Sequence, residues 1–270
     1  MVKAIVILFV MLASLHGESP LFEKVRSLVG DASYQKNQSY IKIIFSPTKA
    51  YYSNGTVDVV KVAQTLKKNG LLQLFFKKPQ ELELSFTTNG EALYFVKIVE
   101  DALQNMGYYN YLLEDATRSN SEFIWKIKLT SEYIMDPTVF KKELSKHNAF
   151  LENIERLSVT RWKYSIDISQ ARLNAYKLSN DKTIKLKRSQ YAYWLDVRYS
   201  RVLNISSLNR NHWYPYIAIY DNRLRLLDIV KKDKVMSRIR FTLPKDAAYV
   251  KLDDIYSMKN IKDGLQIEAH

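Results

Sequence analysis

No cysteine occurs anywhere in the 270 residues. Disulfide staples, thiolate metal sites, thiol nucleophiles and a lipid-modified N-terminal cysteine are therefore excluded. Glycine is nearly as scarce, at 7, too few for a P-loop or a Gly-rich dinucleotide fingerprint. With only 6 prolines as well, the chain is neither low-complexity nor linker-rich. Histidine is limited to 4, and two of these, His16 and His270, lie at the ends. His147 and His212 are far apart, and no H-E-x-x-H motif is present, so no metal site is expected.

Hydrolytic motifs are missing too. There is no G-x-S-x-G elbow. Ser33 and Lys36 match S-x-x-K in a segment expected to be a polar loop, but the S-D-N and K-T-G companions are absent. Glu81 and Glu83 would share one solvated strand face instead of facing each other across a cleft, as glycan cleavage requires. Asp253 and Asp254 are neighbours, and in a strand neighbouring side chains point to opposite faces, so a strand-end role is expected. The chain reads as a non-enzyme with no cofactor.

Apart from the N-terminus, no apolar run approaches the ~20 residues of a membrane span. The N-terminus itself has a short basic start at Lys3 and an apolar run over residues 4–15. Ala13, Ser14 and Gly17 then supply small residues. This pattern predicts a signal peptide over residues 1–17, with Leu15 an imperfect residue at the cleavage motif. An exported chain without cysteine fits a bacterial periplasm best. The three glycosylation-type triplets, at Asn37, Asn54 and Asn204, are expected to be coincidental.

What is abundant is positive charge and aromatic surface. The formal net charge is +13, and removing residues 1–17 takes away only Lys3, leaving 40 cationic side chains against 28 anionic ones. Export directs that charge away from nucleic acid and toward envelope polyanions: phospholipid heads, lipopolysaccharide phosphates or cell-wall carboxylates. Hydrophobic residues at 47% are ample for real cores.

In chain order, a short helix is expected at residues 21–29, ending on Gly30. Strand–helix–strand patterns then follow one another. The first has strands at residues 41–45 and 71–76 around a helix at 56–68, whose Val59, Val60, Ala63 and Leu66 form one stripe and whose C-terminus is closed by Gly70. The second has strands at 82–86 and 108–113. Its helix, 91–106, carries Leu93, Val96, Val99, Leu103 and Met106, with Thr88 and Glu91 at capping-box spacing. The third has strands at 123–129 and 162–168, with Asp136 and Pro137 opening its helix. Residues 41–46 and 125–130 look alike, which supports a repeat. Near Ser169 the helical signals stop, and short strands are expected at 171–178 and 183–187.

Residues 191–254 are the densest β block. In residues 191–199, Tyr191, Tyr193, Leu195, Val197 and Tyr199 alternate with Ala192, Trp194, Asp196 and Arg198. A hairpin is expected from residues 216–220 to 223–226 around Asp221 and Asn222. Ile239, Phe241 and Leu243 alternate with Arg238, Arg240 and Thr242, and further strands are expected at 249–252 and 265–267. The candidate binding surface is Asn211, His212, Trp213, Tyr214 and Tyr216, together with Trp194. Exposed Trp and Tyr rings stack on sugar faces, while the alternative is that Trp213 and Tyr216 close the core.

The export signal, the Lys-, Asn- and Tyr-rich composition, the repeated strand–helix–strand units, and the segments Tyr193 to Val197 and Leu252 to Tyr256 resemble periplasmic proteins of Campylobacter- and Helicobacter-type bacteria. That resemblance implies a scaffold component of an envelope or flagellar-motor assembly. The expected architecture is α+β: a signal peptide (1–17), an N-terminal segment (18–38), tandem ferredoxin-like split-βαβ units (39–168) and an all-β, jelly-roll-like sandwich (169–270). The expected function is a non-catalytic periplasmic protein making protein–protein contacts. The alternative is a module binding peptidoglycan or another anionic glycan. No nucleic-acid partner and no span after signal removal are expected.

Overall fold

A computed structural model describes residues 18–180, 182–208 and 210–270. The expected signal segment, residues 1–17, lies outside them. The chain divides into two compact units, Met1–Phe75 and Phe76–His270. It is an α+β protein in which strands predominate. No described helix is long and apolar enough to cross a membrane.

The first unit is mainly helical, with α1 (Pro20–Val29), α2 (Asp31–Lys36), α3 (Gln38–Ile44) and α4 (Val59–Lys68). Two-residue strands β1 (Tyr52–Ser53) and β2 (Thr56–Val57) form a small hairpin before α4. The C-terminal end of α4 follows the sequence signals, but the helix expected from residue 56 starts at Val59, because residues 56–57 pair in β2. Asp58 accepts a hydrogen bond from the Lys61 amide at 3.0 Å, and past Lys68 the Leu71 amide returns to the Leu66 carbonyl at 2.9 Å. That closing turn needs Gly70, whose φ is +73°.

Other expectations fail in this unit. Residues 41–45 form helix, not strand. Ile41 and Phe45 are four apart, a spacing that suits both a helix stripe and a strand face. Ile43 separates the two, because a strand would bury it with them, and it is 71% exposed. The likeness between residues 41–46 and 125–130 therefore pairs a helix with a strand. Similarly, Ser33 and Lys36 lie in α2, not in a polar loop. The strand expected at 71–76 starts only at Phe75.

The second unit opens with β3 (Phe75–Thr88), α5 (Ala92–Asn105), β4 (Leu112–Ser119), β5 (Glu122–Tyr133), α6 (Pro137–Ser145), β6 (Phe150–Arg156) and β7 (Arg161–Asp167). Its sheet runs β4-β5-β3-β7-β6, with β3 and β7 parallel and Phe86 opposite Tyr164. One face carries the apolar residues. Phe86 lies 5.6–5.8 Å from the rings of Trp125, Phe140 and Tyr164, and Phe95 of α5 meets Phe123 edge-on at 6.0 Å. The opposite face carries ion pairs: Lys126 with Glu83, Lys128 with Glu114, and Lys163 with Glu122.

Asp136 caps α6 by accepting from the Thr138 amide at 2.8 Å, as its sequence predicts. The capping box before α5 is absent. Thr88 Oγ1 instead accepts from the Gly90 amide, and Glu91 makes no side-chain cap. On α5 the buried residues are Phe95, Ile98, Val99, Ala102 and Leu103, whereas Leu93 is 57% exposed.

The expected change near Ser169 from helix-backed sheet to all-β structure falls inside this unit. Nine strands follow: β8 (Tyr176–Lys177), β9 (Thr183–Leu186), β10 (Tyr193–Asp196), β11 (Val202–Ser207), β12 (Pro215–Tyr220), β13 (Leu226–Lys231), β14 (Arg238–Thr242), β15 (Tyr249–Asp254) and β16 (Leu265–Ala269). They make a five-stranded sheet, β13-β12-β15-β10-β8, and a four-stranded sheet, β14-β11-β16-β9. Tyr193, Leu195, Ile217 and Leu252 from the first, and Leu203, Ile205, Ile239 and Ile267 from the second, share one buried cluster. The two sheets are therefore the layers of a sandwich. Gly264, with φ +81°, sits where a Cβ would lie 1.8 Å from the Leu186 carbonyl oxygen, so only glycine lets β16 run beside β9.

The β12–β13 hairpin exists, but its connection is longer than two residues. Asp221 is 4% exposed and accepts from the amides of Arg223 and Arg225 and from Arg225 Nε. Leu224 takes φ +59°. One carboxylate thus organises residues 221–225, and β13 begins at Leu226.

Candidate functional site

Strand alternation assigns the aromatic residues of the five-stranded sheet to two faces. Tyr193 opposite Leu252, and Ile217 opposite the same Leu252, point into the core. Trp194 opposite Lys251, and Tyr216 opposite Asp253, must therefore point outward. Part of this outer face is covered by α5, and between the two lies a cleft of about 570 Å³.

Helix α5 presents Lys97, Glu100, Asp101 and Gln104 to the cleft, the i, i+3, i+4, i+7 spacing of its polar stripe. The Lys97 ammonium is bonded to Asp101 and stands 5.2 Å above the Trp194 ring. Behind Trp194, Tyr220 lies at 5.4 Å and 30°. The sheet side supplies Trp194, Tyr176 and Tyr191, the last two half exposed at 50% and 52%. Asn174, Ser189 and Gln190 complete the rim with neutral polar groups.

His147 closes one end and is 2% exposed. Its Nδ1 lies 3.3 Å from the Arg172 carbonyl, and its Nε2 lies 3.9 Å from Asp101. Burial pushes its pKa below the ordinary histidine value, and the Asp101 carboxylate only partly opposes that. Glu100 accepts a hydrogen bond from the Tyr111 phenol at 2.8 Å, and Tyr111 is shifted upward, first by burial and then by that bond. The charged groups of the lining are thus two ammoniums, Lys97 and Lys251, and three carboxylates, Glu100, Asp101 and Asp253. In a strongly basic chain this cleft is locally slightly acidic.

The six residues expected to form one surface are dispersed. Trp194 is half-buried and lines the cleft. Tyr216 shares its outer face, one strand beyond Asp253. Trp213 is fully buried, its Nε1 donating to the Asp253 carbonyl at 3.0 Å, so it belongs to the core. Asn211 is a brace, donating to the Gly264 carbonyl and accepting from the Asp263 amide. Tyr214 meets Tyr256 edge-on at 5.0 Å, and the His212 side chain is exposed. Asp254 has the strand-end role expected of it, its carboxylate accepting from the amides of Tyr214, Tyr256 and Ser257 and from Asn260.

Sequence reasoning missed Tyr176, His147 and the polar stripe of α5 as members of one site. The i, i+3, i+4, i+7 spacing of the stripe was visible, but nothing local showed that a distant sheet would face it. Among the described residues, no group of three or more His, Asp or Glu side chains is placed to hold a metal ion. Compared with known proteins, the chain matches no family model and no curated protein.

Proposed function

We propose that this is a non-catalytic, exported, periplasmic binding protein whose cleft beneath α5 takes a stretch of hydroxyl-rich glycan. The observation carrying the reading is the convergence of Trp194, Tyr176 and Tyr191 on a cleft whose remaining lining is mostly polar, with amides, carboxylates, two lysines and His147. Aromatic rings offer flat apolar faces to sugar C–H groups, and amide and carboxylate side chains bond hydroxyls and N-acetyl groups. The excess of carboxylates favours a neutral or amine-bearing stretch over a polyanionic one. A non-catalytic role is supported by the engagement of the acidic groups: Asp101 with Lys97, Glu100 with Tyr111, and Asp253 with Lys251.

The finer architecture belongs with this reading. We assign the sandwich to the jelly-roll-like class. Its support is the strand order: β9, β11, β14 and β16 alternate in the chain with β10, β12, β13 and β15 and occupy the other sheet. We read the preceding sheet as a split-βαβ, ferredoxin-like layer enlarged by the β6–β7 hairpin, on the support of its β3–α5–β4–β5–α6 run and the central β5-β3 pair.

The test is co-sedimentation of the purified protein with peptidoglycan sacculi and with insoluble neutral polysaccharide. Tyr191 is half exposed, so Tyr191→Ala should remain folded while binding falls about tenfold, the loss of one stacking contact. Failure of the folded wild-type protein to sediment with any glycan rejects the reading.

A second reading, a scaffold that contacts other envelope proteins, is favoured by edge strand β4. Its Leu112 and Leu113 are 75% and 60% exposed. Apolar side chains on an open edge invite a partner strand. Cross-linking in cells followed by mass spectrometry tests it: reproducible envelope proteins, lost on Leu113→Lys, would support a scaffold, and an unpartnered monomer would reject it.

A further inference from the structure

We propose that the flank of the sandwich built from β13 and β14 docks on an anionic phospholipid bilayer. The two strands are edges of different sheets, β13 of the five-stranded one and β14 of the four-stranded one. Residues 232–237 connect them.

Charge is concentrated there. Residues 223–240 hold seven cationic side chains against Asp228 and Asp233, a net of +5, where the entire chain carries +13. Some of it is locally answered: Arg225 bonds Asp221, and Arg223 lies 3.6 Å from Glu91. Lys231, Lys232 and Lys234, at the end of β13, and Arg240 on β14 are all exposed. Apolar side chains are interleaved with these cations. Leu226, Leu227, Ile229 and Val235 are 52%, 39%, 40% and 47% exposed. Lysine at a sheet edge usually serves to repel other strands. Here Lys231, Lys232 and Lys234 come after Leu226, Leu227 and Ile229 and before Val235, so no lysine interrupts the apolar run of β13 itself.

The combination selects the occupant. A polyanionic glycan would satisfy the cations and leave four large apolar side chains in water. A partner strand would pair with β13 but make no use of Lys232 and Lys234 beyond its end. A bilayer interface answers both, since phosphates meet the ammoniums while the apolar side chains enter the acyl boundary and the lysine stems lie along it.

The test is flotation of the purified full chain with phosphatidylcholine vesicles, with and without phosphatidylglycerol. Binding should require phosphatidylglycerol and weaken as salt is added. The Lys231→Gln/Lys232→Gln/Lys234→Gln protein should bind on the order of 100-fold more weakly. Lys36→Gln/Lys42→Gln/Lys49→Gln, which removes the same charge from the first unit, should bind like wild type. Leu227→Ser and Ile229→Ser, checked for folding by circular dichroism, should each lose about tenfold. Four results would overturn the proposal: no flotation of folded wild type with phosphatidylglycerol at low salt, equal flotation with phosphatidylcholine, equal losses for the two lysine triples, or no effect of the apolar substitutions. A lipid-free dimer that Leu226→Lys dissociates would likewise overturn it, in favour of edge-to-edge pairing of two copies.

Discussion

The inner and outer faces of the five-stranded sheet are built by the same strands from alternate residues, yet their aromatic side chains have different work. Inward, Tyr193 and Leu195 join the core that Trp213 fills beside them, and Trp213 is fully buried with its indole N–H bonded. Outward, Trp194, Tyr216 and Tyr220 keep part of their surface exposed, and Tyr249 is covered near Ala171, where Tyr94 bonds its phenol. Size and ring type do not separate the two sets. The parity of the residue does, because a pleated strand sends neighbours to opposite sides. The inner face forms the core, and the outer face is where the proposed glycan contacts lie.

Three measurements can break or sharpen that contrast. The largest effect is expected from Trp213→Ala, which empties a fully buried site and leaves the Asp253 carbonyl without its donor. Chemical denaturation should show a loss of about 3–5 kcal/mol. A loss under about 1 kcal/mol would mean that Trp213 is not a core residue in the working protein.

The second concerns pH. Burial holds His147 below its ordinary pKa, while Asp101, Lys97 and Lys146 act on it from α5 and the end of α6. The unfolded chain therefore binds a proton on His147 that the folded chain resists. Stability from this group is present above the unfolded value of 6.5 and is lost as pH falls below it. Denaturation between about pH 8 and about pH 5 should show a decline of at most ~1.4 kcal/mol per pH unit below 6.5, flattened in His147→Gln. An undiminished slope in that variant would assign the decline to other groups.

The smallest effect is expected outside. Trp194→Ala gives up the Lys97 contact and the Tyr220 face, about 1 kcal/mol of stability. It should cost more in glycan binding than in stability, and the reverse ordering would place Trp194 with Trp213 as a structural residue.

The sequence conveyed the sandwich well because its strands alternate cleanly. Tyr193, Leu195 and Val197, or Ile239 and Leu243, could be assigned to one shared face from spacing alone. Two kinds of information were not local. Ile41 and Phe45 satisfy helix and strand periods equally, and only the packing of α1 and α4 in the first unit decides that Ile43 stays in water. The cleft joins α5 to strands some ninety residues later, so its members share no spacing that a linear reading can detect. Trp213 misleads for a third reason. It sits in a polar segment, Asn211 to Tyr214, where the Asn211 side chain and the Tyr214 amide brace the loop through bonds to Gly264 and Asp254. Polarity there marks the loop's own hydrogen bonding, not a ligand.

The place of β16 has a consequence for how the molecule is made. It lies inside the four-stranded sheet, between β11 and β9, with Ala269 opposite Leu203 and Ile267 opposite both Ile205 and Ile184. Until residues 265–269 have left the ribosome, β11 and β9 have nothing to bridge them, and the sandwich has one wall with a missing middle. Closure therefore waits for these five residues, in a step that joins segments some sixty to eighty residues apart.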